Sequence, residues 1–153
     1  ADVLITDFVD SRLEKAKQLG ADGCVNGGKE ILADAVREFT GDFGADVVVE
    51  AVGIPKLLEE SLAFAAPGGR IVVLGFHPEP AKIPEVAVVK KELKIIGSRM
   101  NCRRFPQVIE WFDGNRVNPE ALVSAVYPFE KLDDAFRDIL AAPDRYLKVV
   151  VTY

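Results

Sequence analysis

The chain of 153 residues is long enough to bury one core and form one domain. Apolar residues make up 49% and charged residues 28%, the balance of a soluble globular protein, and a formal net charge of −5 argues against nucleic acid or an anionic membrane surface as the main partner. No run approaches the roughly 18 consecutive apolar residues of a membrane span, no signal-peptide pattern opens the chain, and the widely spaced Cys24 and Cys102 fit reduced thiols in a cytoplasmic protein better than a disulfide framework.

In chain order, residues 3–6 predict a strand that runs into Asp7. Ser11 and Glu14 have capping-box spacing, and Leu13, Ala16 and Leu19 give the helix that follows an apolar stripe, which Gly20 ends. Residues 24–25 predict a second short strand before the turn Asn26-Gly27-Gly28. Ile31, Ala35, Val36 and Phe39 recur at helical spacing within residues 30–40, and the glycines at 41 and 44 break the pattern. DVVVE at 46–50 is a continuous apolar run ending in an acid, the pattern of a strand covered on both faces. Residues 55–66 predict a helix opening near Pro55, and Pro67-Gly68-Gly69 turns it into a second buried strand, RIVVLG at 70–75. Helices between buried strands imply parallel pairing through right-handed crossovers, which is the doubly wound α/β class.

The rest is less regular. Pro78, Pro80 and Pro84 mark a loop, with a short edge strand predicted at 81–83. Residues 86–91 predict one or two helical turns, LKIIG at 93–97 a strand, and 104–113 a helix with Phe105, Val108, Ile109 and Phe112 on one face. A strand at 122–125, a helix at 133–140 and a strand at 148–152 complete the reading. Trp111 and the aromatic residues near it read as core, and Lys90-Lys91 and Arg103-Arg104 as solvated surface pairs.

Ligands of open α/β sheets bind beyond the carboxyl ends of the strands. Asp7 stands at such an end. It could accept hydrogen bonds from the ribose hydroxyls of an adenine dinucleotide and repel a 2′-phosphate, favouring NAD over NADP; a helix-capping aspartate is the equal alternative. Arg12 could lie beside that ribose or be a solvated arginine on the helix. Glu50-Ala51-Val52-Gly53 and Leu74-Gly75-Phe76 occupy two further strand ends, and the small residues there would let a ring or ribose approach the backbone; turn geometry alone would also account for Gly53 and Gly75. His77, the sole histidine, fits a surface loop better than a catalytic base. No G-x-G-x-x-G, Walker loop or G-x-S-x-G occurs, and one histidine with two distant cysteines does not readily make a zinc site.

Taken together, ITDFVDSRLEKAKQLGAD, GADVVVEAVG, PGGRIVVLGF, VKKELKIIGSRMN and the final KVVV strand resemble the C-terminal half of a medium-chain dehydrogenase/reductase. Residues 89–101 with FPQVIEWFDGNRVNPEALV resemble its zinc-dependent polyol and sugar-acid branch, which includes sorbitol, threonine, idonate and galactonate dehydrogenases and the starvation-sensing protein. The resemblance implies an incomplete Rossmann-type doubly wound parallel sheet lacking its first strand and glycine-rich loop. Residues 1–121 would be a partial NAD-binding Rossmann domain, and 122–153 a segment packing partly on a GroES-like catalytic domain that the sequence lacks. It also implies that Asp7 binds the NAD ribose, that Arg12 lies beside the adenosine, and that Ala51, Val52 and Gly53 line the adenosine side. Leu74, Gly75 and Phe76, with Ser98, Arg99 and Met100, would surround the nicotinamide and its carboxamide, and Lys148 would lie near the pyrophosphate. It gives this chain no catalytic or metal-binding residue: zinc would be held by residues absent from it.

The activity implied is reversible hydride transfer between a secondary alcohol or polyol and NAD, in a cytoplasmic homodimer or tetramer with no nucleic-acid or membrane partner. The chain is then expected to be a fragment, inactive alone and poor at binding NAD without a phosphate loop, with unpaired strand edges open to association. Two other classes stay open. An S-adenosylmethionine-dependent methyltransferase also places an acid after its second strand, and a non-catalytic nucleotide-binding interaction module needs no zinc. The VKKELKIIGSRMN segment discriminates against the methyltransferase.

Overall fold

The computed structural model describes residues 1–99 and 101–153. Strands and helices alternate: β1 (Leu4–Asp7), α1 (Asp10–Gln18), β2 (Gly23–Asn26), α2 (Leu32–Thr40), β3 (Ala45–Glu50), α3 (Pro55–Phe64), β4 (Ala65–Val73), α4 (Glu85–Lys91), β5 (Lys94–Gly97), α5 (Phe105–Asp113), β6 (Val123–Pro128), α6 (Leu132–Ala141) and β7 (Lys148–Thr152). The pairing is parallel throughout the described residues: β1 with β2, β3 with β4 and β4 with β5, and β6 with β7. A parallel neighbour reached through a helix is the α/β arrangement the sequence predicts, and the sheets are Rossmann-like.

Glycine stops the first helices as expected: Gly20 has φ +100° and Gly41 φ +60°, a left-handed conformation that a side chain disfavours. The capping box does not form. α1 begins at Asp10 rather than Ser11, its cap is Val9, and the Val9 N–H donates to Asp7 Oδ1 at 2.9 Å. β1 therefore runs to Asp7, and the acid itself turns the chain into the helix.

The main core lies between the β3–β4–β5 sheet and α3 and α4. Leu62, Ala65, Ile71 and Leu93 are buried together, with Val48, Leu58, Val73, Ala87 and Val88 packed against them. Pro55 opens α3, where its missing N–H costs nothing. The far end of α3 is capped by a side chain from α4: Lys91 Nζ donates to the carbonyls of Leu62, Ala63 and Ala65 at 3.0, 2.9 and 2.8 Å. Lys91 is thus not half of a solvated pair, whereas Lys90 is exposed.

Other expectations are also corrected. DVVVE is covered on one face only: Val47 and Val49 are 44% and 55% exposed, because α3 and α4 both pack on the side of Val48 and Ile71. Residues 65–66 are strand rather than helix. Ala65 pairs with Ala45, the ladder is interrupted around Pro67-Gly68-Gly69, and it resumes as Arg70–Val73 opposite Val47–Glu50. Residues 81–83 form no strand, although Ile83 packs on the core. Trp111 is not core: it is 36% exposed, and α5 has no buried residue.

Candidate functional site

The carboxyl ends of β1, β3, β4 and β5 carry most of the sequence-predicted site residues. In the first group, one oxygen of Asp7 accepts the Val9 N–H, and the other stands 3.8 Å from an Arg12 terminal nitrogen. Both side chains are about one-third exposed, at 31% and 33%. α1 carries Arg12 past the strand end. The guanidinium then reaches across the chain, donating to the Pro143 carbonyl at 3.3 Å and lying 3.9 Å from Asp144 Oδ1. Its Nε is buried without a partner. Arg12 is therefore neither a solvated helix arginine nor committed to Asp7 alone; it ties α1 to the turn before β7.

Beside this pair, Asn26 ends β2 and is buried. Its amide donates to the Phe8 carbonyl at 3.2 Å and to Asp10 Oδ1 at 2.6 Å, while its oxygen accepts from Gly28 N–H at 2.9 Å. Lys29 Nζ lies 2.5 Å from Asp10 Oδ2. The bond from Lys29, then that from Asn26, holds the Asp10 carboxyl below its ordinary pKa. The network fixes the loop that leads from Asp7 into α1.

The second group is built on the other sheet. Ala51, Val52 and Gly53 follow β3, and Leu74, Gly75 and Phe76 follow β4. Gly53 has φ +83°, and a Cβ there would stand 2.9 Å from the Phe76 nitrogen, so only glycine allows the two segments to meet backbone to backbone. Phe76 projects from this seam, 71% exposed, with the Arg99 guanidinium carbon 4.2 Å from its ring centroid. The Ser98 N–H donates to the Val73 carbonyl at 2.9 Å, which seats residues 98–99 beside the end of β4. Met100 lies outside the described residues. Lys148 is exposed at the amino end of β7, in a different sheet from either group.

Glu50, which the sequence places at the end of β3 without a role of its own, is 6% exposed and holds the segment after it by its own carboxylate. The available signal was an acid closing an apolar run immediately before small residues. His77 is exposed, and its Nδ1 accepts from the Glu79 N–H at 3.2 Å, in keeping with a surface-loop histidine. An open groove of about 440 Å³ lies at the opposite, amino ends of β3 and β4, lined by residues including Asp34, Arg37, Phe43 and Lys91. Parallel sheets do not place their ligands at that end.

The described residues do not fit a zinc ion. They hold no group of three or more His, Cys, Asp or Glu side chains that could bind a metal, and the Cys24 thiol donates to the Leu13 carbonyl at 3.4 Å. Among them, no helix is long and apolar enough to cross a membrane.

Comparison with known proteins matches a family model described as zinc-binding dehydrogenase to residues 1–114. The starvation-sensing protein RspB of Escherichia coli K12 is 32% identical over 151 residues, covering 99% of this chain and 44% of that protein. A sorbitol dehydrogenase of Bacillus subtilis is 30% identical over 152 residues, covering 97% of this chain and 42% of its own length. Among solved structures, a short chain alcohol dehydrogenase (rspB) from E. coli CFT073, complexed with the cofactor NADH, superimposes with a TM-score of 0.92 at 32% identity, over 99% of this chain and 44% of that one. The chain thus spans less than half the length of these relatives.

Proposed function

The chain belongs to the zinc-binding dehydrogenase family, and from that premise we propose that it is the nucleotide-binding part of an NAD-dependent oxidoreductase acting on a secondary alcohol of polyol or sugar-acid type. The observation that carries the reading is the acid at the carboxyl end of β1: Asp7 keeps one carboxylate oxygen toward Arg12 and partly open to solvent. That oxygen suits a pair of ribose hydroxyls and opposes a 2′-phosphate. The rspB relative complexed with NADH supports the same cofactor.

Arg12 lies on the adenosine side with Ala51, Val52 and Gly53. Leu74, Gly75 and Phe76, with Ser98, Arg99 and Met100, form the nicotinamide side, and Lys148 serves the pyrophosphate. When bound, the cofactor supplies hydride chemistry; these residues bind and orient it. Residues 1–121 form the nucleotide-binding unit and 122–153 a segment that packs partly elsewhere. Zinc, where the reaction uses it, is held by residues outside this chain, so the 153-residue chain alone does not turn over alcohol, and with no G-x-G-x-x-G loop for the pyrophosphate it binds NAD weakly. In a cytoplasmic setting it associates with a second copy. The exposed Ile95 and Ile96 on β5, the outer strand of its sheet, support that association.

The test is a set of NMR titrations with NADH, NADPH and S-adenosylmethionine. The wild type prefers NADH, and Asp7→Ser loses the preference over NADPH. Equal affinity of the wild type for the two nicotinamide cofactors, or binding of S-adenosylmethionine instead, would overturn the reading.

A further inference from the structure

Glu50 is a carboxylic acid removed from water at the end of a strand of valines. Such a group needs donors, and it takes them from the backbone that follows: Oε1 accepts the N–H of Val52 at 2.9 Å and of Gly53 at 2.7 Å. The main-chain carbonyl of the same residue accepts the N–H of Leu74 at 2.8 Å and of Gly75 at 3.1 Å. One residue thereby engages four donors, two from each segment of the second group. The contact is close on both sides: a Cβ on Gly75 would overlap the Gly53 backbone and stand 2.8 Å from Glu50 Oε2.

We infer that Glu50 is a positioning residue for the wall that residues 51–53 and 74–76 present to the cofactor. It holds the two segments back to back and, by engaging their N–H groups, leaves a wall for the face of a ring or sugar rather than for a phosphate. Phosphate recognition at strand and helix ends relies on available N–H groups; here four are turned inward, with a carboxylate behind them. The cofactor half of this inference rests on the nucleotide-binding reading above.

The experiment uses isotope-labelled wild-type chain and the variants Glu50→Ala, Glu50→Gln and Gly75→Ala, followed by NMR. Glu50→Ala, folded by circular dichroism, should exchange its Val52 and Gly53 amide protons about tenfold faster and bind NADH about tenfold more weakly. Its freed amides should also shift with inorganic pyrophosphate, which leaves them unmoved in the wild type. Glu50→Gln keeps an acceptor oxygen and should lose less than about threefold. Gly75→Ala keeps the glutamate but drives a Cβ against the Gly53 backbone and Glu50 Oε2, and should weaken NADH as Glu50→Ala does, so it carries the test if that variant does not fold. The inference is overturned by unchanged exchange and NADH affinity in folded Glu50→Ala, by Glu50→Gln falling as far as Glu50→Ala, or by pyrophosphate shifting the wild-type amides. A wild-type chain that ignores NADH overturns the nucleotide reading instead, and unaltered exchange in Glu50→Ala still identifies failure of the Glu50 assignment separately.

Discussion

Replacing Lys91 with methionine removes a cation from the end of α3 while keeping much of the aliphatic stem. The ammonium serves three carbonyls, those of Leu62 and Ala65 in partly buried positions and that of Ala63 in an exposed one. Water can take over at Ala63. At the other two, loss of the donor leaves acceptors poorly solvated, each at about 1 kcal/mol. Removing a positive charge from a helix C-terminus adds about 0.5 kcal/mol. The three bonds share one ammonium and some burial cost is relieved, so the net loss is about 2 kcal/mol. For a chain of this size that lowers Tm by about 4–8 °C. Urea denaturation followed by circular dichroism, with a thermal melt, measures both quantities. Lys91→Arg should recover only part of the loss, because a planar guanidinium cannot present three donors from one nitrogen to three separate carbonyls. A Lys91→Met variant within about 0.5 kcal/mol of the wild type would refute the reasoning and show that burying the ammonium offsets its bonds.

Other changes probe the fold directly. Ile71→Ala empties the centre of the main core, where Ile71 is fully buried, and should cost about 2–5 kcal/mol by chemical denaturation. Gly44→Ala places a Cβ 2.8 Å from the Ala66 nitrogen at φ +91° and should cost about 1–3 kcal/mol in the same assay. Asp10 has a depressed pKa in the fold, so its contribution to stability is fully present above the ordinary aspartate value of 3.8 and is lost as pH falls through the lower folded value. Lys29→Met should move the carboxyl resonance midpoint of Asp10 upward toward 3.8, as NMR titration can read.

The order of strands and helices was legible because its signals are local. Gly20 and Gly41 stop helices by their own backbone freedom, and the valine runs at 47–49 and 149–151 make strands. What covers those strands was not legible. A continuous apolar run predicts two covered faces, but Val47 and Val49 find no helix among the described residues. The stripe of α5 likewise specifies an apolar face and not its partner, so the core expected for Trp111 and the aromatic residues near it, Phe105 and Phe112, does not form among the described residues. In the candidate site, the place of Asp7 at the carboxyl end of β1 was legible from its position after an apolar run. The Arg12 bond to Pro143 joins residues 131 apart in sequence, beyond any periodicity. The place of Glu50 at a strand end was legible, but its role was not; only the fold shows its carboxylate turned back on the amides of Val52 and Gly53.

The central claim is that the carboxyl ends of β1, β3, β4 and β5 form one nucleotide site. Amide chemical-shift mapping with NADH tests it most directly. The account predicts shifts concentrated at Asp7, Arg12, residues 51–53, 74–76 and 98–99, with the amino-end groove unmoved. Shifts centred instead on Asp34, Arg37, Phe43 and Lys91, or none at the highest attainable NADH concentration, would contradict it.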